Sequence, residues 1–230
     1  MKLAELSFSC YVYSHMTDYD DSYNRFVDAT RPQLSLSQQQ HRTALLKWLN
    51  EWGCRQFSLK HRKLAEEEIW DWYRASEPRM LSAERTLLSL SDTDLAVVEQ
   101  AFDGLVGRTA SMRRTGNRRE SRVGIGPTGA AKILFALRPL ALIPWDDPMR
   151  KWFHFDGSGR SYVEYLHLVK DNLRELEQDC EKRGHRLSDL PKILHRRSQS
   201  LTKLVDEHFW VTISRKCRFP PEEDISLWKT

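Results

Sequence analysis

Cysteine is scarce in this sequence, and its four copies, Cys10, Cys54, Cys180 and Cys217, stand far apart with none of the close spacings that hold a metal. No metal site or disulfide framework is expected, and the thiols read as reduced and cytoplasmic. Long apolar runs are also missing. No stretch approaches the length of a bilayer span, and the opening Met-Lys-Leu-Ala-Glu-Leu-Ser-Phe has no apolar signal core, so no membrane partner is expected. Charge of one sign does not dominate either: 36 Lys and Arg against 32 Asp and Glu leave +4, so any nucleic-acid binding must come from local clustering. No repeat of fixed length is present. What is present is 230 residues, enough to bury a sizeable core as one domain over residues 1–230, expected to act as a monomer.

Apolar periodicity makes the chain mainly helical. Residues 6–14 mix aromatic and β-branched residues with serine and suit a short strand or an extended arm, the one place where a strand is expected. Helices are expected over 18–30, over about 37–52 from a Ser35 or Ser37 cap to Gly53, and over 60–75. Two more follow over 82–90 and 91–106, the second capped by Ser91 or Asp92 and closed by Gly107. Beyond residue 148 come a short helix with Met149, Trp152 and Phe153 facing inward, a long helix over 161–182, and helices over 187–194 and 201–213. The Pro- and Glu-rich tail 219–230 reads as loosely attached.

The most informative stretch is 108–150. Arg113, Arg114, Arg118, Arg119 and Arg122 crowd a segment that also holds Gly116 and Asn117 and reads as a loop. Gly124 and Gly126 then permit a turn with positive φ, Pro127 suits a first helical position, and Thr128 to Leu137 continue as helix. Backbone N–H groups at such a helix start favour phosphate, and adjacent arginines extend the same surface along a nucleic-acid strand. Pro139 and Pro144 impose an extended apolar connector that delivers Trp145, Asp146 and Asp147 to the head of the next helix. With Pro148 at the first helical position, Asp147 is the natural cap and Asp146 is left free.

A Gly-Ile-Gly hairpin at 124–126, a helix, and Asp146-Asp147-Pro148-Met149-Arg150 at the head of the next helix resemble the signature of the helix-hairpin-helix DNA glycosylases, over about residues 120–155. The resemblance implies an all-α fold of two helical lobes with a cleft between them, and a duplex DNA partner whose modified base is flipped into a pocket. It makes Asp146 the catalytic carboxylate, with Asp147 the alternative one residue on. Phosphate-contacting residues would be Arg113, Arg114, Arg118, Arg119, Gly124, Gly126, Thr128, Lys132 and Arg150. Trp145, next to the acid, is a base-pocket candidate. Trp70 and Trp72 are further candidates, although tryptophans at their spacing more often pack in a core. No lysine sits in the run just before Gly124 where lyase-type members carry their amine, and only Cys217 lies near the C-terminus where some members bind an iron–sulfur cluster. A monofunctional enzyme without cofactors is therefore expected, serving repair or anti-phage defence. The alternative is a noncatalytic helical DNA-binding module that keeps the hairpin for phosphate contact.

Overall fold

Residues 6–14, expected as a short strand or an extended arm, lie instead within the helix Leu3–Met16. Leu3, Leu6, Cys10 and Tyr13 recur at helical spacing and are all buried, and this long-range stripe overrides the local β preference of Tyr11 and Val12. The computed structural model describes residues 1–114, 120–221 and 223–224, and among these it has ten α-helices and one two-stranded sheet. The helices are α1 (Leu3–Met16), α2 (Tyr19–Ala29), α3 (Gln39–Glu51), α4 (Arg62–Ser76) and α5 (Asp92–Val106), followed by α6 (Gly126–Leu137), α7 (Asp147–Trp152), α8 (Gly159–Lys182), α9 (Leu190–Ile193) and α10 (Leu201–Phe209). No helix among the described residues is long and apolar enough to cross a membrane.

The expected boundaries hold best where a cap is chemically explicit. Ser91 accepts from the Asp94 amide at the head of α5, and Ser158 and Ser200 do the same for α8 and α10. Gly53 follows α3 with φ +81, a conformation that favours glycine. Elsewhere the boundaries move. Gln38, not Ser35 or Ser37, precedes α3, and of 82–90 only the short 3-10 turn Leu87–Ser89 is helical. The helix expected over 187–194 divides into a 3-10 turn and the four-residue α9. Trp152 points outward and is 66% exposed, whereas Met149 is buried as expected.

The largest departure lies in the basic segment. Instead of a loop, Thr109–Arg114 (β1) and Glu120–Gly124 (β2) pair antiparallel, with Met112 opposite Arg122 and Arg114 opposite Glu120. Ala110 is fully buried where β1 packs on α4, and an irregularity between Thr109 and Ser111 breaks the alternation that would betray a strand. Residues 115–119, and with them Arg118 and Arg119, lie outside the described residues.

At the centre is α6. Every residue from Gly129 to Leu137 is buried, and the helix packs on α5 and α3. Around it an aromatic cluster joins Tyr23 and Phe26 of α2, Trp48 of α3, Trp52 and Phe135, with ring centroids as close as 4.6 Å. A second cluster joins Phe102 of α5, Trp145, and Tyr162 and Tyr165 of α8. The Tyr162 hydroxyl donates to the Ile143 carbonyl at 2.8 Å, and the Tyr165 hydroxyl to that of Pro144 at 3.3 Å, which pins the extended connector between α6 and α7. Burying an aromatic side chain contributes about 1.5–3 kcal/mol, so the packing of Trp145 against these rings adds to the two hydrogen bonds in holding the connector in place.

Candidate functional site

The turn into α6 is built from both sides. The Ile125 amide donates to the Arg108 carbonyl at 2.7 Å, and the Gln56 side-chain amide donates to the Ile125 carbonyl at 2.7 Å. Gly126 has φ +69, so this glycine serves the turn as expected. Gly124 does not: it has no positive φ, and its place at the end of β2 is set by crowding, since a Cβ there would stand 3.3 Å from the Val106 carbonyl oxygen. Gly129 matters for a related reason, because a Cβ there would meet Gln56 and Ile125 side chains at 2.9 Å.

Trp145 is 1% exposed, and its indole N–H donates at 3.1 Å to the carbonyl of Pro127, eighteen residues earlier, tying the α7 entrance to the α6 entrance. Asp146 follows. One of its oxygens accepts from the Met149 amide at 2.9 Å, so Asp146 itself caps α7, and the other accepts from the Ser214 hydroxyl at 2.7 Å. The expected division of labour is thus reversed: Asp147 is the first helical residue, exposed, and ion-paired with Arg150 at 2.7 Å and Lys151 at 2.5 Å. Its hydrogen bond with Lys151 is the main cause of a carboxyl held below the usual range. The helix keeps Asp146 as its cap because the carboxylate before Pro148 by two positions reaches the free Met149 N–H.

Asp146 lines a pocket of about 390 Å³. Its aromatic walls are Tyr13 of α1, Tyr19 of α2, Trp52 after α3, and Trp145 and Trp210, while Gln56, Thr128, Lys132 and Asp206 supply polar surface. Tyr13 and Tyr19 both meet Trp210 edge-on, at 5.2 Å and 5.9 Å. No family model, curated protein or solved structure matches this chain.

Several expected residues fall elsewhere. Trp72 is core: it is 2% exposed and donates to the Ala101 carbonyl at 3.0 Å. Trp70 stacks on Tyr73 beside Arg42 and Arg74 and does not line the pocket. Lys132 is buried in the pocket wall, its amine donating to the Trp52 carbonyl beside the Trp52 ring, and so is not on a phosphate-binding surface. Arg150 is half-buried between Asp147 and the face of Trp145, and serves as a brace. Arg113, Arg114 and Arg122 are exposed on the hairpin.

Trp52, Trp210, Tyr13 and Tyr19 were not singled out from sequence, nor were Asp206 and Ser214. A usable signal existed in α10. Lys203, Asp206 and Glu207 are three charged residues in a helix in which every residue from Thr202 to Phe209 is buried. Lys203 is fully buried and pairs with Glu207 at 2.8 Å, and Arg196 bridges Glu207 and Asp20. The Lys203 amine also lies 4.1 Å from the centroid of the Tyr13 ring, directly behind the pocket wall. Among the described residues, no group of three or more His, Cys, Asp or Glu is placed to hold a metal ion.

Proposed function

We propose that this protein is a monofunctional DNA glycosylase that hydrolyses the N-glycosidic bond of a modified base and leaves an abasic site. The observation that carries this reading is Asp146: a half-buried carboxylate fixed by two donors, at a helix head, in the wall of an aromatic pocket. The glycosidic bond breaks through a transition state with positive charge on the sugar, and a carboxylate preset beneath the anomeric carbon stabilises that charge without reorganising. The same carboxylate orients the attacking water. A pocket of about 390 Å³ lies in the small-ligand range, and its rings suit stacking on a base taken out of the duplex. The helix start at Gly126 and the exposed Arg113, Arg114 and Arg122 of the hairpin before it are the phosphate-contacting surface. Base excision in repair or in defence against modified phage DNA would use this chemistry.

The test is single-turnover base release from duplexes carrying different modified bases, with heat or alkali revealing abasic sites. Asp146→Asn preserves shape and remains a good helix cap, so folding and DNA affinity persist while release falls at least about a hundredfold. Asp147→Asn loses exposed ion pairs and leaves release largely unchanged. Borohydride should trap no covalent adduct, because the pocket's amine, Lys132, is engaged by the Trp52 carbonyl. DNA binding with no release from any substrate would instead assign the chain to noncatalytic DNA-binding modules.

A further inference from the structure

The pocket wall holds a second carboxyl whose hydrogen bonding differs from that of Asp146. Asp206 of α10 is 7% exposed and lines the same pocket, yet no described residue gives it a side-chain hydrogen bond or an ion pair. The nearby cations are already committed. Lys203 is bound to Glu207 and also faces Asp20, and the Lys132 amine is held by the Trp52 carbonyl. The remaining titratable groups around Asp206 are Tyr13 of α1, Tyr165 of α8 and Asp146 itself. Asp146, by contrast, accepts hydrogen bonds at both oxygens. Two carboxyls sharing one pocket, one satisfied as an acceptor by protein donors and the other given no donor by any described residue, are the arrangement in which one serves as the base and the other as the acid.

We propose, resting on the glycosylase reading, that Asp206 is the general acid that protonates the departing base, and that the substrate is therefore an uncharged nucleobase and not a cationic N-alkylated one. A cationic base leaves as a neutral molecule without help, whereas an uncharged base leaves with a surplus electron pair that a proton must neutralise. In the step, the C1′–N bond breaks, its electron pair goes to the base, and the base takes the Asp206 proton. Water forms the new C1′–O bond and gives one proton to Asp146, which passes it to solvent, while Asp206 regains its proton from solvent. Burial is the largest influence on Asp206 and pushes its carboxyl up to about 7, against the pull of Lys203 and Lys132 and with the added push of Asp146 and Glu207. The acid is thus half-protonated near neutrality.

The experiment measures single-turnover release across pH 5–9 from duplexes holding one hypoxanthine, uracil or 7-methylguanine, the last a cationic base, using wild type, Asp206→Asn, Asp206→Ser and Asp146→Asn. For a released uncharged base, the wild-type rate should fall about tenfold per pH unit above about 7, and both Asp206 variants should be about a hundredfold slower at pH 6 with that limb gone. Wild-type rate and pH profile in both Asp206 variants would overturn the acid while loss in Asp146→Asn upheld the glycosylase. Preferential release of 7-methylguanine would overturn the substrate class. Carboxyl ¹³C NMR of the free protein separates the two ideas. A group lost in the Asp206 variants should titrate near 7, and its titration below about 5 would overturn the acid whatever is released. Absence of release from all three duplexes by the wild type, with Asp206 titrating near 7, would overturn the glycosylase reading and the acid with it.

Discussion

Lys203 carries a charge into a place where water cannot follow, fully buried between the rings of Tyr13 and Trp52 and held by Glu207. Burial alone would push its amine down, but Glu207, Tyr13, Asp206 and Asp20 outweigh it and raise the amine well above its usual value. Removing one member of such a pair strands the other. Lys203→Met should therefore cost about 3–5 kcal/mol in urea unfolding, whereas Lys203→Met with Glu207→Leu leaves the Asp20–Arg196 pair intact and should fall within about 2 kcal/mol of wild type. Equal losses in the single and double variants would show that the pair packs the helices together by shape and not by charge. At the opposite extreme, Asp147 with Lys151 is an exposed pair whose contribution is about 0–1 kcal/mol.

At the scale of the element, α10 carries two buried groups whose titrations oppose one another. Asp206 is raised from 3.8 to about 7, so the folded protein binds more protons than the unfolded chain in that interval. Its favourable contribution is complete below 3.8 and is lost as pH rises through 7. His208 lies against Ser9 and stacks on Phe219, and burial, the largest influence, lowers it from 6.5 to about 4. Its contribution is complete above 6.5 and is lost as pH falls through 4. Between about pH 4 and 6.5 the two slopes cancel. Stability of the wild type should be nearly flat there by denaturant titration. Asp206→Asn should become more stable with rising pH, and His208→Gln less stable, each by up to about 1.4 kcal/mol per pH unit. Parallel curves for all three proteins would contradict the assignment of both groups.

Across the whole molecule, what was legible in the sequence is what the local chain dictates. The α6 entrance, the proline-bounded connector and the Asp146 position follow from Gly126, Pro127, Pro139 and Pro144, whose backbone preferences act within a few residues. The identity of the cap did not, because Asp146 and Asp147 are chemically equal and only the reach to the Met149 amide chooses between them. The pocket walls were hidden for another reason. Tyr13, Trp52 and Trp210 belong to apolar faces indistinguishable from that of Trp72, and only the meeting of α1, α3 and α10 around α6 separates wall from core. The basic hairpin was obscured by its irregular register. Its proposed role is testable at this scale: neutralising Arg113, Arg114, Arg118 and Arg119 should flatten the salt dependence of duplex binding, lowering the log-log slope by about 0.9 for each phosphate contact removed. An unchanged slope would leave the hairpin outside the DNA interface.

The rings around the pocket have an optical side. Trp52, Trp145 and Trp210 are three of the chain's eight indoles, and all three line the space proposed for the base, with Trp210 only half-buried beside Arg215. An aromatic guest stacked among them perturbs their emission directly, while a strand lying along the arginines of the hairpin does not touch them. Intrinsic fluorescence can thus distinguish DNA merely resting on the surface from a nucleotide that has swung out of its helix, without any attached dye.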